Sequence, residues 1–245
     1  MYEPVVLGSD DAPQIAAFTR VACPYDLLTT TTVRRSVFAD LGPQVGWASY
    51  DGGLDADGVA VVRGSRGFVK FLATHPAAAR RGIGSAVLER IEAYCRERGA
   101  ATIEVGNSAP YYVSPGLDVR ATEAACFFEA LGYERYGEAV NLGVRLLDLP
   151  PPPVPCPVAG PDDLERLRPW VAEHHPNWID ELERGVALGG CVVHSDLGFA
   201  CVDVNREGWF GPTATRPDAR GRGIGTSTLL SALDLLRERG HEHAE

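Results

Sequence analysis

The fold of this chain is decided by two short stretches, Ala79-Arg80-Arg81-Gly82-Ile83-Gly84 and Arg220-Gly221-Arg222-Gly223-Ile224-Gly225. Each one follows a strand-like run that ends in Thr-x-Pro, and each one leads into a helical pattern of apolar residues. A glycine-rich turn between a strand and a helix exposes backbone N–H groups at the positive end of the helix. Both stretches are therefore candidate anion sites of the kind that holds a phosphate group.

The two stretches belong to a longer repeat. Ala73-Thr74-His75-Pro76 corresponds to Ala214-Thr215-Arg216-Pro217, and Arg96-Glu97-Arg98-Gly99 corresponds to Arg237-Glu238-Arg239-Gly240. All of these matches lie at the same spacing along the chain and need no gap. Because chance recurrence over so many positions is implausible, we interpret the chain as an internal duplication.

A proline-rich stretch separates the two halves. The prolines between Pro150 and Pro157 favour an extended polyproline conformation and cannot supply a hydrogen-bonded helix. We therefore predict an N-terminal domain at 1–148, a linker at 149–157 and a partial C-terminal domain at 158–245. The length of 245 residues, 45% of them apolar, suffices for two modest cores.

The first half predicts a mixed sheet with helices. An antiparallel meander is followed by a helix that ends at Gly99 and by a further strand, and this helical crossover makes the last strand parallel to its neighbour. A Gly- and Asp-rich turn is predicted at Asp51–Asp57, and a final strand or hairpin at Tyr133–Leu147. The other predicted strands are Pro4–Leu7, Val45–Ser49, Val59–Arg63, Gly67–Thr74 and Ala101–Val105, and predicted helices include Asp11–Val21, Thr32–Asp40 and Ala121–Leu131.

The same order of elements restarts after the linker. His241–Glu245 begins the strand that follows the second loop and helix, and we expect the second copy to be truncated there or completed by another chain. An open sheet edge invites pairing, so we expect a homodimer, or pairing with the first copy, to cover it. The predicted helices are Asp162–His174 and Ile179–Leu188, and the predicted strands are Cys191–His194, Phe199–Val204 and Trp209–Thr215.

Charge and motif spacing argue against several classes of protein. The 33 acidic and 23 basic side chains give a formal net charge of −10, and both halves are acidic, which disfavours nucleic-acid binding. The Walker loop ends in Gly-Lys-Ser/Thr, and neither stretch supplies the lysine. The dinucleotide fingerprint needs a third glycine, where Val87 and Thr228 stand, and should follow the first strand of its unit. Nicotinamide and flavin binding are therefore the poorer interpretation.

Cysteine usage and the N-terminus bear on the location of the protein. The six cysteines show neither a Cys-x-x-Cys pair nor a nearby histidine at zinc-ligand spacing, so we expect free thiols and no metal site. The N-terminus lacks the basic and apolar regions of a signal peptide, and no apolar run is long enough for a membrane span. We expect a cytoplasmic protein without a membrane or nucleic-acid partner, and its arginine-rich, lysine-poor composition fits a bacterium.

The loops and their context resemble the GNAT N-acetyltransferase superfamily. Arg220-Gly221-Arg222-Gly223-Ile224-Gly225 fits the full Arg/Gln-x-x-Gly-x-Gly/Ala pattern of that family, and the order of elements is similar across 1–147 and 158–245. The resemblance implies an α/β chain, with a mixed α+β sheet, built from two GNAT-like acyl-CoA N-acyltransferase folds in tandem. It also implies acetyl-CoA as the acyl donor and the amine of a small molecule as the acceptor.

The resemblance also implies which residues bind acetyl-CoA. In the family, the loop amides hold the pyrophosphate and the preceding strand binds the pantetheine arm. The residues implied in the first copy are Leu72, Ala73, Thr74, Arg80, Arg81, Gly82, Ile83, Gly84 and Ser85. Those implied in the second copy are Thr213, Ala214, Thr215, Arg220, Gly221, Arg222, Gly223, Ile224, Gly225 and Thr226.

The first copy departs from the family pattern at three positions. Ala79 stands where Arg or Gln is expected, and Ala121 and Phe128 replace the asparagine and tyrosine of Asn-x-x-Ala-x-x-Phe-Tyr. A phenylalanine cannot protonate a departing thiolate. Glu104, in the strand after the loop, and Tyr112, further on, are the remaining candidates for proton transfer, although Glu104 is equally suited to pairing with an arginine. The alternative function is a non-catalytic acyl-CoA-binding or interaction module.

Overall fold

The structure is a computed structural model that describes residues 5–26, 28–39, 44–50 and 54–245. The chain divides into two compact units, Met1–Ala139 and Val140–Glu245. The division lies ahead of the predicted linker at 149–157, because the end of that stretch pairs within the second unit. The Val193 N–H, for example, donates to the Pro157 carbonyl at 3.0 Å. Within the described ranges, no helix is both long and apolar enough to cross a bilayer.

The first unit contains one mixed sheet. Its strands lie in the order β1-β2-β3-β4-β5, and neighbours are antiparallel except β4 and β5, which are parallel as predicted. The strands are β1 (Val5–Leu7), β2 (Gln44–Tyr50), β3 (Leu54–Arg63), β4 (Arg66–Thr74) and β5 (Thr102–Val105). The helices are α1 (Ala12–Ala22), α2 (Thr30–Thr32, continued by a π-helical turn at Val33–Val37), α3 (Ile83–Glu97) and α4 (Thr122–Ala130).

The two faces of this sheet bury different helices, because successive side chains of a strand point to opposite sides. Val59 of β3 shares a buried cluster with Ile15 and Phe18 of α1. Ala60, the next residue, shares a second cluster with Val87 of α3 on the other face. α3 is thus held against the sheet directly after the strand and loop that precede it, and this packing positions the glycine loop.

The predicted turn at Asp51–Asp57 is wrong for its second half, because β3 begins at Leu54. Aspartate and glycine are depleted in strands, so the stretch is locally typical of a turn. Asp57 nevertheless has a strand on both sides, where it lies opposite Ala48 of β2 and Ala73 of β4. Pairing in the middle of the sheet therefore overrides the local preference. Residues 51–53 of this prediction, and the ends of two others at Pro4 and Asp40, lie outside the described residues.

The second unit repeats the order of strands, loop and helix. β7, β8 and β9 are antiparallel neighbours, and β10 pairs with β6. Glu245 continues β10 beside β9, where its N–H donates to the Gly208 carbonyl at 3.1 Å and its carbonyl accepts from the Phe210 N–H at 2.7 Å. The strands are β6 (Val144–Arg145), β7 (Cys191–His194), β8 (Gly198–Val202), β9 (Phe210–Thr215) and β10 (His243–Ala244), and the helices are α5 (Pro161–His174), α6 (Ile179–Ala187) and α7 (Ile224–Glu238).

The predicted final strand or hairpin at Tyr133–Leu147 is wrong for most of its length. Only Val144–Arg145 forms a strand, and its partner is His243–Ala244 of the second unit. Residues 134–143 are exposed, with Val140 and Leu142 each 80% exposed, so this stretch lacks the burial that stabilises a strand. One side of β10 is consequently covered by a strand that precedes the linker.

Candidate cofactor site

The parallel strands β4 and β5 separate toward the carboxyl end of β4. Their pairing ends where Val69 lies opposite Val105, and the Gly106 N–H then donates to the Val69 carbonyl at 3.0 Å. β4 continues to Thr74, whereas the chain after β5 turns at Gly106, whose φ is +70°. Among the described strands, none covers the β5 side of Leu72–Thr74. This segment therefore has an open edge.

Backbone groups at the end of β4 point alternately to β3 and to this open edge. Ala73 pairs with β3, and the His75 N–H donates to the Asp55 carbonyl at 2.7 Å. Because the direction alternates along a strand, the N–H and C=O groups of Leu72 and Thr74 face the open edge. An extended ligand could bond to them as an added strand would.

The glycine loops of the two units have the same backbone conformation. Gly82 and Gly223, which lie 141 residues apart, precede α3 and α7 and both have a φ of +78°. Two residues earlier, Arg80 at +61° and Gly221 at +77° also have left-handed backbones. The repeat in sequence is therefore a repeat in conformation. Left-handed residues in such a turn aim successive N–H groups into a concave anion site.

Both helices begin with amides that have no acceptor within the helix. The Ala86 N–H donates to the Gly82 carbonyl at 3.0 Å in α3, and the Ser227 N–H donates to the Gly223 carbonyl at 3.0 Å in α7. The three N–H groups before each of these bonds, at 83–85 and 224–226, belong to the first turn, which cannot bond them internally. The helix dipole adds positive potential at the same place. Each helix start can thus bind an anion.

The strand and the helix approach closely at the second helical residue. A Cβ at Gly84 would lie 2.8 Å from Thr74 Oγ1 and 4.0 Å from the Phe127 ring. The equivalent Cβ at Gly225 would lie 3.4 Å from Thr215 Oγ1. The structure therefore brings both predicted parts of each cofactor site together, since the strand end meets the glycine loop.

Arginine side chains add positive charge to both loops. Four of them are exposed in the loops: Arg80, Arg81, Arg220 and Arg222. Arg216, just before the second loop, pairs with Asp218 at 2.7 Å and with Asp196 at 2.5 Å. The hydrogen bond from Arg216 lowers the pKa of Asp218. His75 occupies the equivalent place in the first copy, so the surroundings of the two loops differ in charge.

Arg80 carries a conformational cost that its counterpart Gly221 avoids. A left-handed backbone costs a non-glycine residue about 1–2 kcal/mol, and the greater freedom of glycine in the unfolded chain offsets part of the gain from replacing it. We expect Arg80→Gly to stabilise the first unit by up to about 1 kcal/mol, measured by thermal denaturation. Arg81→Gly removes the same charge from a residue whose φ is not positive, and it serves as the control. An equal gain in both variants would contradict this explanation.

Glu104, predicted as a candidate for proton transfer, lies in an ion pair. Its two carboxylate oxygens accept from Arg66 at 2.7 and 2.6 Å, and the Tyr136 hydroxyl donates to it at 2.8 Å. The hydrogen bonds from Arg66 lower the pKa of Glu104. Glu104 also lies opposite Phe68, where β4 and β5 are still paired. This geometry favours the other role considered for Glu104, that of a partner for an arginine.

For the acetyl transfer that the resemblance implies, we expect Glu104→Gln to keep the rate within about tenfold of the wild-type rate. A general base would contribute roughly 10²–10⁴ to that rate, whereas loss of a half-exposed ion pair affects mainly stability. The measurement is kcat/KM by release of the free thiol, with Arg66→Gln as the matched control that breaks the same pair from its other end. A loss of 100-fold or more in Glu104→Gln, with Arg66→Gln unaffected, would assign catalysis to the carboxylate.

Tyr112 lies half-buried in the loop that follows β5. Its neighbour Val113 is buried in the cluster of Ile15, and the Asn107 N–H donates to the Ser114 carbonyl at 3.1 Å. These contacts fold the loop back beside the end of β5, where the two parallel strands separate. Tyr112 therefore stays a prediction for proton transfer.

Phe128, at the position of the family tyrosine, is buried in an aromatic cluster. Its ring meets those of Phe127 and Tyr133 edge-on, each at 5.2 Å between centroids. The Tyr133 hydroxyl donates to Glu92 at 3.0 Å, and burial together with this carboxylate raises the pKa of Tyr133. The phenol whose ring contacts Phe128 is thus engaged with a carboxylate and is a poor proton donor.

Sequence reasoning missed two buried polar side chains in the first unit, Asp57 and Ser108. Asp57 is 1% exposed and Ser108 is 0% exposed, and within the described part of the chain their side-chain oxygens have no hydrogen-bond partner. Burial raises the pKa of Asp57 well above its usual range. The sequence contains a pattern that could have identified Asp57. Asp55 and Asp57 stand two residues apart, which is the spacing that places side chains on one face of a strand. A buried acid with a shifted pKa is a candidate functional residue.

Two mixed α/β units, each with a glycine loop between a strand and a long helix, define a tandem protein of the acyl-CoA N-acyltransferase fold class. Two family models match the chain, one described as Acetyltransferase (GNAT) domain at residues 37–135 and one as Acetyltransferase (GNAT) family at residues 143–244. Together they span most of its length, so the chain belongs to the GNAT acetyltransferase family, whose acyl donor is acetyl-CoA. A comparison with curated proteins finds no match.

Three solved structures are similar to nearly the whole chain. The GCN5-related glucosamine N-acetyltransferase region of a fungal multi-domain GH3 β-N-acetylglucosaminidase is 19% identical with a TM-score of 0.77, covering 100% of this chain and 35% of that one. A tandem GNAT protein from the clavulanic acid biosynthesis pathway is 20% identical with a TM-score of 0.68, covering 100% and 89%. A GCN5-related N-acetyltransferase from Sphaerobacter thermophilus is 18% identical with a TM-score of 0.66, covering 99% and 85%. These similarities confirm the predicted tandem fold.

Proposed function

We propose that this chain is an acetyl-CoA-dependent N-acetyltransferase that transfers an acetyl group to the amine of a small-molecule acceptor. One observation carries the proposal: the left-handed glycine loop and helix start, formed in both copies directly after a strand end. Backbone amides in this arrangement bind an anion without any particular side chain. They suit a pyrophosphate, and membership of the family supports acetyl-CoA as its source.

In this proposal each copy contacts one acetyl-CoA molecule in two regions. The amides of 80–85 and 221–226 bind the pyrophosphate, and the neighbouring arginines add charge. The backbones of Leu72–Thr74 and Thr213–Thr215 bind the pantetheine arm through hydrogen bonds. In the first copy this directs the thioester to the gap between β4 and β5, where an amine can attack its carbonyl carbon. Positioning of this kind supplies a large part of the rate of such a reaction.

Two proton movements accompany acetyl transfer. The amine loses a proton as its nitrogen bonds to the carbonyl carbon, and the departing thiolate gains one as the carbon–sulfur bond breaks. Of the two residues predicted for this work we retain Tyr112, whose loop is anchored beside the gap. The thiolate can otherwise take its proton from water, at a lower rate.

Calorimetry with acetyl-CoA tests the binding, and a free-thiol release assay with a series of amines tests the transfer. We expect heat of binding at one or both loops and release of thiol that depends on the amine. NAD is the control ligand, because a dinucleotide site would bind it and an acetyl-CoA site would not. Binding of NAD without binding of acetyl-CoA would refute the proposal.

The alternative, a non-catalytic acyl-CoA-binding module, is favoured by the buried Phe128 and the engaged Glu104. The Phe128 side chain has no proton to give, and both carboxylate oxygens of Glu104 already accept hydrogen bonds from Arg66. Binding of acetyl-CoA with no thiol release for any amine would support this function over the first.

We propose a cytoplasmic location in a bacterium and a homodimeric form. All six cysteines are free in the structure, as is usual in a reducing compartment. In the described part of the chain, β5 has one strand neighbour, and a second copy could cover its outer edge. Analytical ultracentrifugation tests the dimer.

A further inference from the structure

The first unit has two acidic residues on one face of β3, Asp57, which is buried, and Asp55, which is half-buried. Asp57 is 1% exposed, and neither of its carboxylate oxygens has a hydrogen-bond partner within the described ranges. One carboxylate oxygen of Asp55 is also buried without a described hydrogen-bond partner. Buried carboxylates in proteins are normally paired with a cation or with several donors. This pair of acids therefore needs an explanation that the fold itself does not supply.

Both side chains point to the α1 side of the sheet. Val59, two residues further along β3, belongs to the cluster of α1, and so do Ala48 and Ala73, which flank Asp57 on the neighbouring strands. These flanking residues are both alanines. At the end of α1, burial and then the charges of Asp57 and Asp26 raise the pKa of Cys23 to about 12. The face is thus acidic as well as buried.

The second copy fills the equivalent positions with apolar side chains. Thr74 lies opposite Ala56, and its counterpart Thr215 lies opposite Gly198, so the register equates Asp57 with Phe199. The same register equates Asp55 with Leu197. Phe199 is completely buried, and its ring lies 6.0 Å from that of Trp170 on α5. One copy therefore closes this face with an aromatic pair, whereas the other keeps two carboxylates there.

We propose that Asp57, together with Asp55, binds the ammonium group of an aliphatic primary amine on this face of the first copy. Burial raises the pKa of Asp57, so its side chain holds a proton that a neutral amine can take. The ammonium group that forms has three donors and no acceptor, which suits the two oxygens of Asp57 and the one buried oxygen of Asp55 that have no described hydrogen-bond partner. Asp57 lies opposite Ala73, so it is about 5.5 Å from the strand that holds the pantetheine arm under the proposed function. This inference rests on that function, names the class of acceptor, and assigns acceptor binding to the first copy.

The stability of variants separates a ligand site from a structural residue. Asp57→Asn and Asp57→Leu remove a buried acid whose raised pKa lowers the stability of the folded protein at neutral pH, so we expect both to raise the Tm of the ligand-free protein. n-Butylamine is the probe, and n-butanol is its neutral counterpart. We expect the amine to raise the Tm of the wild type, the alcohol to leave it unchanged, and both Asp57 variants to lose the response to the amine. Asp10→Asn, which removes an exposed charge from the same unit, is the control and keeps the response.

Acetyl-CoA binding, measured by calorimetry on the same variants, distinguishes failure of this inference from failure of the proposed function. Binding of acetyl-CoA by the wild type without any response to the amine would overturn the inference alone. So would a lower Tm in both Asp57 variants combined with an unchanged response to the amine. Wild-type protein that does not bind acetyl-CoA would refute the proposed function instead.

The dependence of stability on pH gives a second measurement. The pKa of Asp57 is raised in the folded state, so the native protein holds a proton that the unfolded chain releases above about pH 3.9. Stability should therefore fall as the pH rises from there through the folded pKa, and Asp57→Asn should lack this part of the slope. The other titratable groups described around this face, which both proteins share, are Cys23, Asp26, Asp55, Lys70 and His75. Identical slopes in the two proteins would count against a buried acid with a raised pKa at Asp57.

Discussion

Replacing both Gly82 and Gly223 with valine is expected to abolish the binding of acetyl-CoA. Each glycine has a φ of +78°, which is unfavourable for any other residue and most unfavourable for a β-branched one. The cost of about 1–2 kcal/mol per site is avoided if the loop changes conformation, and the amides then no longer converge on the pyrophosphate. We expect each single variant to weaken its own site by at least about tenfold. Calorimetric stoichiometry will show which loop binds.

The matched control lies at the other end of the same helix. Gly99 has a φ of +82°, and a Cβ there would meet nothing within 4 Å, which is also true of Gly82. Gly99→Val therefore carries a similar backbone strain outside the loop. It should lower the Tm without changing the Kd for acetyl-CoA. A wild-type Kd in the double variant would show that the glycine loops are ordinary turns, and a weakened Kd in Gly99→Val would show that strain alone explains the loss.

Phe199→Ala is expected to destabilise the second unit by about 3–5 kcal/mol, the usual effect of truncating a large aromatic side chain in a core. Phe199 is 0% exposed and packs between α5 and the sheet, with the Trp170 ring at 6.0 Å. A domain is commonly stable by only about 5–15 kcal/mol, so this loss is a large part of the total. Urea denaturation followed by tryptophan fluorescence measures it, since Trp170 reports on the affected core.

Leu229→Ala provides the comparison for Phe199→Ala, because Leu229 lies on α7 of the same unit and is 38% exposed. We expect it to cost less than about 1 kcal/mol. Equal losses in the two variants would mean that the aromatic pair is not the centre of this core. The contrast also bears on the acidic face of β3, because it measures how much stability the second copy gains from the residue that replaces Asp57.

Much of the candidate cofactor site could be predicted from the sequence. The positions of Gly82 and Gly223 follow from local chemistry, since only glycine readily adopts the left-handed backbone that starts these helices. The parallel pairing of β4 and β5 follows from the helical crossover between them. The catalytic assignment could not be predicted in the same way. The role of Glu104 depends on Arg66, and the burial of Asp57 depends on strands that approach it from both sides.

The sequence by itself determined that this protein is a duplication and that each copy carries a glycine loop before a long helix. These properties depend on residues close together in the chain. The same residues recur 141 positions later, so the loop and the helix recur as well. Only the tertiary structure decided that Val144–Arg145 pairs with His243–Ala244 and that Asp57 stands where the other copy has Phe199. Such outcomes depend on pairing between distant segments, because burial and strand register arise only when those segments meet.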